Sequence, residues 1–179
     1  MAELKDVTFR PINTEDIPIL NEMEKSIFPG IEYKDETWRY FLRNTESSII
    51  ALKNDKAIGY VVSCFLYQNT DEYTPYMSAA GYIYHIVSLG VLSEYKNQGI
   101  GTRLLNMCIN KAFKIPLKYI SLHVMDGNMH AMHIYKKRGF KFGFHVDRYY
   151  DSGEGGNFMY LNGPGLRVVL DEEPPLVKE

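Results

Sequence analysis

The segment from Val87 to Leu105 constrains the fold of this chain more than any other. It begins with apolar, strand-like residues, passes through a short polar turn and reaches Gly99-Ile100-Gly101 at the start of a helical pattern. Gly99 and Gly101 remove side chains where the backbone turns into the helix, so free N–H groups point outward. Together with the positive end of the helix dipole, these donors form a site for an anion such as a pyrophosphate.

The glycine pattern excludes two common phosphate sites. No third glycine follows at position 104, as the dinucleotide fingerprint requires, and no Gly-Lys-Ser/Thr closes a P-loop. Glycines before a helix also serve tight turns that bind no ligand. The glycine pattern therefore predicts either a tight turn without a ligand or a site for a nucleotide-containing cofactor that is built differently from these two motifs.

Composition limits the class of protein. A chain of 179 residues with 45% hydrophobic and 13% aromatic residues suits one globular domain, which we place at 1–165 with a solvated tail at 166–179. The net charge of −2 argues against a nucleic-acid partner. Cys64 and Cys108 lack metal-ligand spacing and indicate buried thiols and no metal site. Without an apolar leader or an apolar run of membrane length, we expect an intracellular, cytoplasmic protein.

Hydrophobic periodicity and turn residues predict eleven elements in the order β-α-α-β-β-β-α-β-α-β-β, a mixed sheet flanked by helices. Gly139 follows the last helix as a left-handed cap. The predicted strands are 7–10, 48–53, 57–67, 82–92, 118–125, 140–147 and 157–162; the helices are 15–28, 35–44, 99–113 and 128–138; the hairpin turns at Asn54-Asp55, and a polar loop covers 68–79.

The run Lys96-Asn97-Gln98-Gly99-Ile100-Gly101 resembles the central motif of the Gcn5-related N-acetyltransferase (GNAT) superfamily, Gln/Arg-x-x-Gly-x-Gly/Ala. Asn128 to Phe140, about thirty residues downstream, resembles a second motif of that superfamily. The resemblance implies an α/β (α+β) GNAT fold, with a mixed, mostly antiparallel seven-stranded sheet and about four helices, and acetyl-CoA or CoA as cofactor. It implies cofactor contacts from Leu89, Gly90, Val91, Lys96, Asn97, Gln98, Gly99, Ile100, Gly101, Thr102, Asn128 and Tyr135.

Three further segments, 27–33, 119–124 and 149–150, resemble the catalytic chains of the NatF and NatE types of N-terminal acetyltransferase. That resemblance implies transfer of acetyl from acetyl-CoA to the α-amine of protein N-termini, typically starting with Met. It places Phe28, Pro29 and Tyr33 in one wall of a peptide pocket, with Tyr149 and Tyr150 in the other and Val87 between them. Taken alone, Phe28-Pro29 also suits a helix stop and Tyr149-Tyr150 a strand end.

An α-amine with a pKa near 7.7–8.0 must lose a proton before it attacks, so the reaction favours a base such as histidine. His85 and His123 lie on the two strands that flank the acetyl group in this superfamily. Strand alternation places His85 on one face with Val87 and Leu89, and His123 on one face with Ser121 and Met125.

In the NatE and NatF pattern the position of His123 is a histidine that orders or deprotonates through water, whereas the position of His85 is a tyrosine. Imidazole at 85 can act as a direct base, or it is a satisfied strand histidine. Tyr135 lies near the cofactor sulfur in the superfamily and can donate to the leaving thiolate, or it is a packing residue.

Two other functions remain open. One is acetyl transfer to a small amine such as a polyamine, or to a lysine side chain, for which Asp71-Glu72 is a weak acidic signal. The other is a non-catalytic CoA-binding module, favoured only by His85. NatF-type chains also carry a C-terminal extension that binds organelle membranes, so a longer natural C-terminus allows that location. An auxiliary subunit or a dimer is compatible with the sequence.

Overall fold

Seven strands form one sheet, with helices on both of its faces. The computed structural model describes residues 6–43, 47–68 and 81–163, so most of the predicted 68–79 loop and the 166–179 tail lie outside it. The elements in chain order are β1 (Val7–Pro11), α1 (Ile17–Ile27), α2 (Asp35–Leu42), β2 (Ile49–Lys53), β3 (Lys56–Gln68), β4 (Gly81–Val91), α3 (Ile100–Ala112), β5 (Tyr119–Met125), α4 (Met129–Lys137), β6 (Lys141–Val146) and β7 (Gly156–Asn162).

This order confirms the predicted succession of strands and helices. The largest difference concerns the first helix, which begins as a 3₁₀ turn at Thr14–Asp16 before α1. Asn13 caps that turn: its side chain accepts from the Glu15 N–H, and its own N–H donates to the Asp16 carboxylate. Arg10 on β1 donates two hydrogen bonds of 2.7 Å to the same carboxylate, which lowers the pKa of Asp16. The capping box thus attaches the first helix to the edge strand.

Two cores lie on opposite faces of the sheet. On one face α3 and α4 pack on the strands through residues such as Leu104, Cys108 and Tyr135. On the other face α1 and α2 pack through Leu20 and Trp38. Alternating strand residues point to alternate cores, which is the pattern expected for a sheet covered on both sides. No helix in the described ranges is long and apolar enough to cross a membrane.

The strand order is β1-β2-β3-β4-β5-β7-β6, and β4 and β5 are the one parallel pair among the described strands. They pair at three positions only, ending at Ile86 opposite Leu122. Beyond that point β4 continues beside β3, while residues 123–125 of β5 pair with β7. The two central strands therefore separate and leave an opening with unpaired backbone groups along both edges.

A β-bulge at Val87 corrects one prediction. Val62 on β3 pairs with Ser88, and the next residue, Ser63, pairs with Ile86, so Val87 is the extra residue. Val87 packs in the α1–α2 core, whereas Leu89 packs in the α3–α4 core. His85 therefore shares a face with Val87, as predicted, but the prediction for Leu89 was wrong because the bulge reverses the alternation.

Candidate active site

Two histidines face each other where β4 and β5 separate. The ring centroids of His85 and His123 are 5.5 Å apart with the rings edge to face. Nδ1 of His85 lies 2.9 Å from the Ser121 hydroxyl, directly across the β4–β5 pair. Ser121 therefore lies on the same side of β5 as His123, as the strand alternation predicted. The structure brings both predicted histidines into one site.

Burial keeps both histidines neutral. Burial first, and then the nearby His123, lower the pKa of His85 from 6.5 to about 3. Burial lowers the pKa of His123 from 6.5 to about 4. Nδ1 of His123 is buried and has no hydrogen-bond partner among the described residues. At neutral pH the pair thus presents two uncharged rings, and the His85 ring is anchored to a serine.

The loop between β6 and β7 covers His123 with an aromatic ring. Tyr149 stacks on His123 with centroids 3.9 Å apart, and Tyr150 lies edge to face against Tyr149. A Cβ on Gly156 would lie 2.9 Å from the Tyr149 ring, so glycine at this position is what lets the ring lie on the backbone. The loop places both predicted tyrosines beside the histidine pair.

The opposite wall comes from the segment after α1. Tyr33 packs edge to face on Trp38 with a centroid distance of 4.8 Å, which fixes the segment against α2. Burial, and then the nearby Glu24, raise the pKa of the Tyr33 phenol. Phe28 is half-buried and ends α1, and Pro29 is exposed behind it. A Cβ on Gly30 would lie 3.9 Å from Cβ of Ser152 in the β6–β7 loop.

The start of α3 has the features of an anion site. Gly99 has a φ of +82° with no atom within 4 Å of an added Cβ, and Asn97 also has positive φ. No side chain caps the first turn of α3, so its leading N–H groups have no partner from a capping residue. These donors and the open space fit a pyrophosphate. Gly101 and Thr102, two further predicted cofactor contacts, lie in the same first turn of α3.

The side chains of the predicted cofactor loop have different surroundings. Lys96 is exposed, and the Gln98 amide donates to the Glu94 carbonyl at 3.2 Å. Ile100 is 1% exposed within the α3–α4 core, so only its backbone faces the site. Arg103, a nearby cation, lies over the Phe9 ring at 5.5 Å. The backbone of this loop is therefore better placed than its side chains to hold an anion.

The second motif places Asn128 and Tyr135 around α4. The Asn128 side chain caps α4 by accepting from the Ala131 N–H at 3.1 Å. Tyr135 is buried, which raises the pKa of its phenol, and its ring lies 5.7 Å from that of Phe140. Gly139 closes the helix with a φ of +86°, as predicted.

Glu24 is a buried group beside the site that the sequence did not reveal. Its Oε1 accepts from the Ser88 hydroxyl at 2.5 Å, and the Tyr60 hydroxyl lies 3.1 Å from that serine. Its Oε2 is buried without a hydrogen-bond partner among the described residues, and burial raises its pKa. Glu24 stands in a polar helical stretch, Asn-Glu-Met-Glu-Lys, that reads as a solvent-exposed face; no sequence signal marks it.

Comparison with known proteins agrees with this geometry. The zebrafish (Danio rerio) N-alpha-acetyltransferase 50 is 34% identical over 140 residues, covering 78% of this chain and 74% of the relative. The Xenopus tropicalis N-alpha-acetyltransferase 60 is 29% identical over 159 residues, covering 83% of this chain and 65% of the relative. The crystal structure of Arabidopsis thaliana NAA60 in complex with a bisubstrate analogue superposes with a TM-score of 0.72 at 25% identity, covering 89% of this chain and 99% of that one.

The family comparison covers the elements that build the site. The model described as the acetyltransferase (GNAT) family matches residues 17–140, from the start of α1 to the residue before β6. That range contains the separated β4 and β5, both histidines, the glycine loop and α4. The predicted resemblance is confirmed: this chain belongs to the acetyltransferase (GNAT) family.

Proposed function

We propose that this chain transfers acetyl from acetyl-CoA to the free α-amine of protein N-termini. One observation carries the proposal: two neutral histidines face each other at the separation of β4 and β5, beneath a cleft walled by tyrosines. The names of the relatives, N-alpha-acetyltransferase 50 and 60, support the same reaction, and the neighbouring Arabidopsis structures hold acetyl-CoA or a bisubstrate analogue.

The residues present fit acetyl-CoA. The uncapped first turn of α3 and the open space at Gly99 suit the pyrophosphate. The backbone of Leu89 to Val91, past the point where β4 leaves β5, has unpaired groups on that edge for the amide-bearing arm. When bound, acetyl-CoA supplies the thioester carbonyl that the amine attacks.

His123 and Tyr135 carry out the proton transfers. The incoming α-amine is largely protonated at neutral pH and must lose a proton to react. His123 accepts that proton directly or through a water, since its neutral, half-buried ring lies at the opening. Tyr135, whose pKa is raised by burial, keeps its proton until it donates to the leaving thiolate.

The cleft suits a peptide with an apolar first residue. Tyr33 and Phe28 form one wall, Tyr149 and Tyr150 form the other, and the two segments meet where a Cβ on Gly30 would lie 3.9 Å from Cβ of Ser152. Apolar walls with a few hydroxyl groups hold an apolar side chain and orient the main chain. Methionine is the first residue that we propose.

The sequence signal for the small-amine alternative, Asp71-Glu72, lies outside the described residues. The relatives named N-alpha-acetyltransferase favour the peptide over the small amine. We propose a peptide substrate and no nucleic acid, with an auxiliary subunit as a further partner; the structure neighbours include a NatC complex. We propose the cytoplasm as the location, where the free, buried Cys64 and Cys108 stay reduced.

Thiol release from acetyl-CoA over a panel of amines tests the function. Peptides starting Met-Leu, Met-Lys, Ser-Glu and Ala are compared with the same peptides blocked at the α-amine, with spermidine and with an α-blocked lysine peptide. We expect turnover on free Met-starting peptides, and a large loss of turnover in His123→Ala with CoA binding retained. Turnover on spermidine or side-chain lysine alone overturns the proposal. The absence of turnover on every amine, in a protein that binds CoA, also overturns it.

A further inference from the structure

One hydrogen bond at the site involves Ser121, a residue to which the sequence analysis assigned no role. Ser121 on β5 is 1% exposed, and its hydroxyl lies 2.9 Å from Nδ1 of His85. It is the one side-chain hydrogen bond of Ser121 within the described residues. The contact follows from register, because His85 and Ser121 are directly paired between β4 and β5 just before the strands separate.

The burial of Ser121 decides which partner donates. A serine hydroxyl has one proton, and a buried donor without an acceptor is costly. If His85 carried its proton on Nδ1, that N–H would donate to Ser121 and leave the hydroxyl proton buried without a described acceptor. If Ser121 donates instead, Nδ1 accepts and both groups are satisfied. A neutral ring that accepts at Nδ1 carries its proton on Nε2.

We propose that Ser121 is a positioning residue that holds His85 in the Nε2–H tautomer, so that His85 acts as a hydrogen-bond donor in the opening between β4 and β5. The inference rests on the proposed function for its catalytic meaning. His85 then donates a hydrogen bond to a water or to the developing oxyanion and removes no proton. His123, which Ser121 does not contact, remains the acceptor of the amine proton.

Two features of the site fit this division of roles. Burial, and then the nearby His123, disfavour a positive charge on His85, because two charged rings this close would repel each other. The NatE and NatF pattern has a tyrosine at this position, and its phenol can donate a hydrogen bond. A histidine protonated on Nε2 donates a hydrogen bond as well, so the donor is retained. A histidine can carry its proton on either ring nitrogen, whereas a phenol has one hydroxyl. The buried serine opposite His85 fixes the tautomer.

Nitrogen NMR of the full-length chain labelled with ¹⁵N-histidine tests the tautomer directly. The chain has five histidines, and the His85 signals are assigned by their absence from His85→Tyr. In the wild-type protein at neutral pH we expect a protonated Nε2 and a bare Nδ1 on His85. In Ser121→Ala we expect a mixture of both tautomers, and in Ser121→Thr, which retains the hydroxyl, the wild-type pattern.

Kinetics supply the second readout. We expect Ser121→Ala to lower kcat on a Met-starting peptide about tenfold with little change in KM, and Ser121→Thr to restore most of the rate. Ser63→Ala is the matched control, because Ser63 is an equally buried serine that contacts Tyr84 on the opposite face. We expect that variant to retain kcat.

Each other outcome overturns the inference. A wild-type His85 protonated at Nδ1 makes His85 a candidate base and refutes the donor role. An unchanged tautomer in Ser121→Ala refutes positioning by the serine. Should Ser121→Ala not fold, the wild-type and Ser121→Thr spectra still decide the tautomer. These spectra need no substrate, so failure of the amine panel refutes the proposed function alone.

Discussion

The histidine pair makes the fold sensitive to acid in a way that can be measured. A histidine whose pKa in the folded protein lies below its unfolded value stabilises the fold fully above the unfolded pKa. That contribution is lost as the pH falls from 6.5 towards about 3 for His85 and about 4 for His123. The free energy of unfolding should therefore decrease on acidification wherever the unfolded chain binds these two protons and the folded chain does not.

The loss can be worked out from these pKa values. Each pH unit between the two pKa values of a group is worth about 1.4 kcal/mol. A pH of about 5 lies 1.5 units below the pKa of 6.5 of an unfolded histidine, so the unfolded chain binds the proton there. Both folded histidines remain almost entirely neutral at the same pH. The expected loss between neutral pH and pH 5 is thus about 2 kcal/mol per histidine and about 4 kcal/mol for the pair.

Urea denaturation at about pH 7.5 and pH 5 measures this loss for the wild type, His85→Phe and His123→Phe. We expect each variant to lose about 2 kcal/mol less on acidification than the wild type, whatever its stability at neutral pH. Other titrating groups, such as Glu24, cancel in this comparison. An acid loss in the variants equal to that of the wild type would refute the assignment of buried neutral histidines.

His145 provides a control of opposite sign. It lies on exposed β6 between Asp126, at 2.9 Å, and Asp147, at 3.3 Å. Asp126 raises the pKa of His145, so its stabilising contribution is present below 6.5 and is lost as the pH rises through the folded pKa. His145→Gln should leave the acid loss unchanged or increase it, and a reduced acid loss would contradict the reasoning.

Three further substitutions test single contacts by urea denaturation or titration calorimetry. Gly90→Ala should cost about 1–3 kcal/mol, since the added methyl would lie 2.9 Å from Ile27 and 3.1 Å from Tyr60; wild-type stability would show that α1 can move away. Gly99→Ala should cost about 1 kcal/mol, because its φ is +82°, and should weaken CoA binding severalfold; unchanged affinity would remove the glycine from the anion site. Asn128→Ala should cost about 1 kcal/mol by uncapping α4, and Asn128→Asp should not; equal losses would exclude capping as the cause.

The sequence predicted the elements of this fold because each carries a local signal. The Asn54-Asp55 turn adopts the positive φ values of 49° and 61° that a tight hairpin turn needs, and Gly139 ends α4 in the left-handed region. Motif position, together with the strand pattern, also predicted the two histidines. Signals of this kind depend on a few neighbouring residues, so they can be read without knowing the tertiary structure.

Features that depend on distant residues were not predicted. The bulge at Val87 arises from the register between β3 and β4, and Val87, Leu89 and Val91 keep a regular alternation in the sequence, so alternation placed Leu89 on the wrong face. Glu24 looks like a surface residue until Ser88, 64 positions away, donates to it. The Ser121 contact depends on the parallel pairing of strands separated by a whole helix.

The bulge also divides β4 into two parts that can change independently. In the proposed mechanism His85, before the bulge, contributes a side chain to the chemistry, whereas Leu89 to Val91, after it, contribute backbone along the opening. Because the extra residue absorbs the change in register, a substitution at position 85 can alter the reacting group without moving the backbone that follows. A lineage can therefore exchange the residue at position 85, together with its partner on β5, while its capacity to bind the acetyl donor is inherited intact.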